Sequence, residues 1–414
     1  MQPFASDRNS ESNTATWALA FGQLVAWGAV YYAFSLFVVP MEQELGWSRA
    51  STNAALSCGL LVSGLAAYPV GKWIDHGHGR VVMTAGSLLA SVMLVLWSQA
   101  GSLVTLFAAW VGLGMSMAAT LYDPVFAILT RDYPSSFRTK ITLVTLVAGF
   151  ASTVFIPLTQ GLVDVTGWRH ALLALAAINA CVCLPIHWVS LRDDLSVIAP
   201  TVNKTQIKAE NDAAVRRALR TPVFWALAVC FTAYYATFAA LTFHLVPLMV
   251  ERHVPQPVIL ATMAVIGPAQ VLARILWFTA GRNVSPRIVG LIITSAFPAS
   301  VAILLFAGAS PVALILFALI YGGANGTMTI LRGTIVQDVM WTEGYGAISG
   351  LLSAPSNIAK GIAPISAALI WTIGNNYASV EWTVLLVSLI AAVAFGIVVY
   401  STRRHSSPLV AVND

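Results

Sequence analysis

The chain has 414 residues, of which 58% are hydrophobic and only 9% charged, with a formal net charge of +5. Soluble domains carry about 25% charged residues, so this composition excludes a single water-soluble core and points to a surface that faces lipid. The basic residues sit in short loops between apolar runs rather than in an aromatic-interleaved patch, which argues against a nucleic-acid partner.

The first fifteen residues are polar, and the apolar run behind them is too long for a signal-peptide core, so it reads as a retained helix. Crossing the hydrocarbon core takes about 20 apolar residues in helix. Such runs are predicted at 16–40, 49–74, 81–100, 104–130, 140–163 and 168–190, and again at 222–250, 257–281, 287–307, 311–336, 346–373 and 379–401. The polar stretch between the sets carries Arg192, Lys204, Lys208, Arg216, Arg217 and Arg220, and reads as a cytoplasmic linker with a short surface helix. The expected organisation is a tail (1–15), a six-helix bundle (16–190), the linker (191–220), a second six-helix bundle (221–402) and a tail (403–414).

Orientation follows from charge. With both termini cytoplasmic, that side carries sixteen of the 22 Lys and Arg residues, among them Lys72, Arg80, Arg131, Arg138, Lys140, Arg282, Arg287, Arg403 and Arg404. The opposite loops carry Arg49, Arg169 and Arg252, and the remaining three, Arg274, Arg332 and Lys360, fall within predicted helices. Sixteen against three is the bias that the positive-inside rule expects.

The two sets of helices also look duplicated. Val39-Pro40 matches Val246-Pro247 at a shift of 207, which also carries Arg80 onto Arg287 and Pro157 onto Pro364; Gly114 matches Gly323 at a shift of 209. Parallel six-helix halves around a midplane site are a transporter architecture. Cys58, Cys181, Cys183 and Cys230 lie inside apolar runs without metal-ligand or redox spacing, so they read as packing residues. Gly322-Gly323-x-Asn325-Gly326 follows no strand and precedes no Gly-Lys-Ser/Thr, so it reads as a helix contact and not a phosphate loop. No nucleophile–base pair, ATP-binding motif, cofactor motif or metal cluster is legible, which argues against an enzyme or a primary pump.

The loop after the second run reads Gly71-Lys72-Trp73-Ile74-Asp75-His76-Gly77-His78-Gly79-Arg80. The glycine allows close helix approach, the aspartate can cap or pair at a helix end, and the arginine anchors the face. This resembles the signature loop of the major facilitator superfamily, with His76 in place of the usual base; in the second half Arg282 occupies the position matching Asp75. Gly167-Trp168-Arg169 and Gly112-x-Gly114 agree. The resemblance implies an all-α integral-membrane fold of twelve helices in two pseudo-symmetric bundles. Within the superfamily the chain looks most like the oxalate:formate antiporter and monocarboxylate porter branch. Arg274 in Ala-Arg-Ile-Leu and Lys360 in Ile-Ala-Lys-Gly-Ile-Ala-Pro stand where that branch has its anion-binding pair.

An ionisable residue inside a membrane costs about 2.5–3.5 kcal/mol on insertion scales, so Arg274 and Lys360 need a reason. No Asp or Glu is expected at their depth, and a substrate anion in a water-filled cavity would complete the balance; the bland reading has Arg274 snorkelling or bonding backbone carbonyls. Asp123 and Arg332, each nine residues after Gly114 and Gly323, are expected either to pair across the pseudo-twofold axis as a gate and proton site, or to pair locally with Arg131 and Asp338. Tyr31 and Tyr32, with Trp27 one turn before them, and Tyr234 and Tyr235 are candidate cavity residues. Adjacent helical side chains point about 100° apart, so one of each pair is expected to face the cavity. His244 is a candidate for proton coupling, and Gly71, Asp75 and Arg80 for the conformational loop. The expected protein is a multi-pass transporter of the bacterial inner membrane, functional as a monomer. It would move a small organic anion, a mono- or dicarboxylate, by proton symport or exchange; export or import of a drug, vitamin or other metabolite is the alternative.

Overall fold

The computed structural model describes residues 4–191, 204–279 and 284–404. Arg192 and Arg282 and the chain ends therefore lie outside the described residues, as do the side chains of Arg49, Lys204, Arg403 and Arg404. Among the described residues there is no strand. A chain in lipid must satisfy each backbone polar group from within its own segment, and helices do that.

The first crossing is built from α1 (Phe4–Ala26), a π-helical turn (Trp27–Tyr32) and α2 (Phe34–Leu45), so helix begins inside the expected tail and continues past Pro40. Then come α3 (Arg49–Asp75), α4 (Gly79–Ser98), α5 (Leu103–Thr120), α6 (Tyr122–Asp132), α7 (Phe137–Ala148) and α8 (Ala151–Ser190). The linker contributes α9 (Lys204–Leu219). The second half comprises α10 (Pro222–Glu251), α11 (Gln256–Thr279), α12 (Pro286–Phe306), α13 (Pro311–Val339), α14 (Tyr345–Gly374) and α15 (Tyr377–Arg404).

Boundaries have local causes. Ser48, Ser102 and Ser310 accept backbone N–H groups of Ser51, Thr105 and Ala313, satisfying orphan donors at three helix starts. Gly46 ends α2 at φ 67°, in the left-handed region. Ten helical stretches among the described residues are long and apolar enough to cross a membrane. One of them, Phe137–Ser190, has 54 residues, about 80 Å of helix against a core of about 30 Å. It turns back at Gly167, where φ is 77°, and so supplies two crossings. With α14, whose glycines, serines, prolines and lysine dilute its apolarity, the described residues make twelve crossings.

The packing repeats between halves. In the first half α5 packs on α3 and α4, and α8 packs on α1 and α4; in the second, α13 packs on α11 and α12, and α15 packs on α10 and α12. Small residues set the close approaches: a side chain at Gly322 would strike the Ile266 carbonyl, and one at Gly326 the Gln270 carbonyl, so α13 lies directly on α11. The halves meet through α3 with α14, α6 with α14, and α7 with α11 and α13. One buried apolar core stays within the first half, from Val25 to Cys183. The other runs through the second half and continues into Ile74, Val82, Phe126, Ile141 and Val144 of the first. Those residues lie toward the face that carries α9 and the α3–α4 loop, called here the linker face, and there the halves share a core.

Candidate functional site

The polar bonds that join the halves lie on the linker-face side. Asp75, at the end of α3, accepts the backbone N–H groups of Gly346 and Ala347, each at 2.8 Å, and so caps α14 of the other half. A cap at a helix N-terminus suits a carboxylate because orphan N–H groups and the positive end of the helix dipole meet there. Gly71, one turn earlier, leaves the space for this: a side chain there would collide with the Gly346 carbonyl. Arg80 stacks its guanidinium 3.8 Å from the Trp188 ring, within its own half. Asn211 of α9 bridges the halves, donating to the Asp75 carbonyl at 3.2 Å and accepting the Gly344 N–H at 2.9 Å. Lys72 pairs with Asp212 of the same helix at 2.7 Å. Arg138 and Arg287, from opposite halves, share the carboxylate of Asp338 at 2.8 and 2.9 Å.

Deeper along the seam stands Asp123. The fourth crossing breaks at Leu121, where ψ is −155°, and Asp123 falls in the first turn of α6. Gln23 donates to the Thr120 carbonyl, a group that the break frees from the helix ladder. Arg332 of α13 holds both Asp123 oxygens, at 2.9 and 2.8 Å, and Ser353 Oγ of α14 lies 2.8 Å from Oδ2 and also contacts Arg332. The local alternative does not form: Arg131 bonds Asp132 and the Ile74 carbonyl, and Asp338 is taken by Arg138 and Arg287.

The two remaining intramembrane cations differ in kind. Arg274 is 5% exposed, and its Nε donates to the Gly326 carbonyl at 3.1 Å. Its guanidinium packs on Gly149, at the junction of α7 and α8 in the other half, where any side chain would displace it. Lys360 stands midway along the 30-residue α14. Its ammonium lies 4.1 Å from the centroid of the Tyr235 ring and 3.5 Å from Asn357 Oδ1, with no carboxylate at ion-pair distance among the described residues. The same Tyr235 ring has the Arg332 guanidinium 5.4 Å from its centroid. Asp123 bonds Ser353, about two turns nearer the start of α14 than Lys360, so it lies within electrostatic reach of Lys360 without sharing its depth.

The tyrosine pairs part company. Tyr234 is fully buried, 4.5 Å from the Phe297 ring inside its own half, so it is removed from the cavity set, while Tyr235 faces the seam. That is the divergence of neighbours on an α-helix. Tyr31 and Tyr32 do not diverge. The π-helical turn, closed by the Ala33 N–H on the Gly28 carbonyl, keeps both rings against Trp27, at 5.3 and 6.1 Å. Trp27 in turn lies 4.9 Å from Tyr122. Tyr32, Tyr235 and the Arg274 guanidinium all lie within electrostatic reach of the Tyr122 hydroxyl. His244 stands apart from the Asp123–Arg332 pair: its ring nitrogens meet the Tyr377 hydroxyl at 3.0 Å and the Pro364 carbonyl at 2.9 Å, tying α10 to α14 and α15.

Sequence reasoning left Tyr122, Ser353, Gly149 and Asn211 without roles. Tyr122 was findable as the neighbour of an intramembrane acid. The others acquire theirs only from partners far along the chain. Among the described residues, His, Cys, Asp and Glu side chains form no group fit for a metal ion.

The family model described as Major Facilitator Superfamily matches residues 19–364. Monocarboxylate transporter 13 of Rattus norvegicus is 26% identical over 354 residues, covering 82% of this chain and 78% of its own. The Bos taurus protein of the same name is 26% identical over 369 residues, covering 87% and 82%. Two solved structures share the fold. The E. coli fucose:proton symporter has a TM-score of 0.70 at 14% identity, covering 94% of this chain and 98% of that one. The human organic anion transporter MFSD10 has a TM-score of 0.68 at 14% identity, covering 96% and 100%.

Proposed function

For a chain that belongs to the major facilitator superfamily, we propose secondary active transport of a small organic anion, a carboxylate, by alternating access. The observation that carries this reading is Lys360. It is a cation at the middle of a membrane helix, seated on the Tyr235 ring beside the seam and without a carboxylate partner at ion-pair distance among the described residues. A charge held there is costly unless an anion visits it. The names of the monocarboxylate transporter relatives agree in ligand class.

The linker face is the cytoplasmic one in this proposal, with both termini on that side of an inner or plasma membrane, as the charge bias supports. The bonds along the seam then describe a cytoplasmic gate in its shut state: Asp75 on α14, Arg138 on Asp338, and Asp123 on Arg332 and Ser353. Substrate enters from the opposite side, reaches Lys360, and the halves rock about it. Asp123 is the proposed proton site. A proton there cancels the charge that holds Arg332, so gate opening and proton movement become one event; without that coupling the cycle runs as exchange. One chain contains the whole site and acts as a monomer.

The test is uptake of labelled carboxylates into proteoliposomes by the wild type and by Lys360→Ala and Arg274→Ala. The expected result is loss of uptake with unchanged membrane abundance. Wild-type uptake by both variants would sink the anion reading. It would leave the second reading, carriage of a drug, vitamin or other non-carboxylate metabolite, which the Arg274–Gly326 carbonyl bond favours because it gives that cation a structural duty.

A further inference from the structure

We infer that the site takes a monocarboxylate with a flat aromatic body, its carboxylate on Lys360 and its ring against Trp27, Tyr32 and Tyr122. This deepens the anion reading and rests on it.

The charge argument selects one carboxylate. Of the three intramembrane cations, Arg332 is held by both oxygens of Asp123, and Arg274 by the Gly326 carbonyl, with its guanidinium packed on Gly149. Lys360 remains, with the Asn357 amide oxygen at 3.5 Å as its polar contact. One ammonium balances one carboxylate. A second carboxylate on the same molecule would be buried without a cation and within the field of Asp123, which itself lies in reach of Lys360.

The second argument is the shape of the wall. On an α-helix Trp27 would keep Tyr31 on its face and lose Tyr32 to the side. The π-helical turn widens the spacing and keeps both, and such turns recur at functional sites. Trp27 continues onto Tyr122, 4.9 Å away, and Tyr122 onto Phe126, stacked at 5.3 Å. These rings stand in the first half. Lys360 and Tyr235 stand in the second, and Tyr235 lies within electrostatic reach of the Tyr122 hydroxyl across the seam. An ion site thus faces a ladder of rings. Aliphatic acids of two or three carbons would fill the first and leave the second empty.

The third observation is an unspent donor. The Trp27 indole N–H is buried and has no acceptor among the described residues. A buried donor left unpaired is costly, and a ligand acceptor beside the ring wall would satisfy it. Ring stacking at this wall is expected to favour aryl over small aliphatic acids by about tenfold or more.

The experiment measures ligand-induced thermal stabilisation of the purified full-length chain with benzoate, phenylacetate, propionate, succinate and neutral benzamide. It uses the wild type, Trp27→Leu, Trp27→Phe, Tyr122→Leu and Lys360→Ala. The expected result is half-maximal stabilisation by the aryl acids at about tenfold lower concentration than by propionate. Trp27→Leu and Tyr122→Leu should each abolish that preference, Trp27→Phe should keep part of it, and Lys360→Ala should remove the response to every acid. Propionate matching benzoate overturns the aromatic inference, and succinate exceeding both overturns the single carboxylate; either leaves the organic-anion reading standing. Benzamide matching benzoate, with Lys360→Ala indifferent, overturns the organic-anion reading itself. A wild type that responds to no acid overturns both. Tyr122→Leu serves where Trp27→Leu does not fold.

Discussion

Arg332 and Asp123 sit 209 residues apart, each nine residues after the matching glycines Gly323 and Gly114, and the guanidinium of one holds both oxygens of the other at 2.9 and 2.8 Å. The pair joins symmetry-related positions of the two halves. It lies between Lys360 and the linker face, with Ser353 of α14 completing it. In the proposed cycle a substrate on Lys360 would rest above a bond that must break before the linker face opens.

Removing either partner leaves a charge buried in the seam, at a cost of about 3–5 kcal/mol. Asp123→Asn and Arg332→Gln are each expected to lose most uptake. The double swap Asp123→Arg with Arg332→Asp should regain a measurable part of it, because opposite charges again meet across the seam. A swap that recovers none of the lost uptake, at equal abundance, argues against a gate pair.

Gly71 faces a different demand. A methyl group at Gly71 would overlap the Gly346 carbonyl, and one at Gly350 the Ala67 carbonyl, so either substitution pushes α3 off α14. Overpacking of that kind costs about 1–3 kcal/mol, all of it in the state with the linker face shut. Gly71→Ala and Gly350→Ala are expected to impair uptake while still inserting. Gly161→Ala, with nothing within 4 Å of the added carbon, should behave as wild type.

Asp75→Asn keeps the shape of the cap and removes its charge. The amide can turn one oxygen toward the N–H groups of Gly346 and Ala347, and loses the second acceptor. A lost cap costs about 1 kcal/mol. Hydrogen exchange should therefore quicken at the first-turn amides of α14, by about fivefold, while the far end of the same helix is unaffected.

The linker clamp has its own pH dependence. The hydrogen bond from Lys72 holds the Asp212 carboxyl below its ordinary value. A depressed acid contributes its full share above its unfolded pKa, about 3.9, and loses it as pH falls through the lower folded value. Docking of α9 should thus be constant from about pH 8 to pH 5 and weaken only in stronger acid. Asp212 is 29% exposed, so the pair is worth at most about 1 kcal/mol. Asp212→Asn should speed tryptic cleavage at Arg216 and Arg217 by no more than about fivefold.

Single residues show how far the linear chain could be read. Lys360 and Arg274 looked alike as cations in apolar runs, because hydropathy and charge are properties of each segment alone. Their difference lies in Gly326 and Gly149, one in a neighbouring helix and one across the seam. His244 looked titratable for the same reason, and its partners Tyr377 and Pro364 sit more than a hundred residues away. Tyr31 and Tyr32 were read with α-helical geometry. The π-helical turn, packed with Gly28 directly on the Phe155 ring, changes which face each ring occupies.

By itself the sequence determined the twelve crossings, the two related halves and the side that carries the basic loops. Those follow from apolar length against bilayer thickness and from charges counted loop by loop, and both act along the chain without reference to the fold. The tertiary structure decided which cations are paired, that Tyr235 and not Tyr234 faces the seam, and that the linker face is shut. Partner choice is a matter of which side chains meet at 3 to 4 Å, as Arg332 meets Asp123 and Lys360 meets Tyr235. Such meetings join residues 209 and 125 positions apart, and they exist only once the helices have packed.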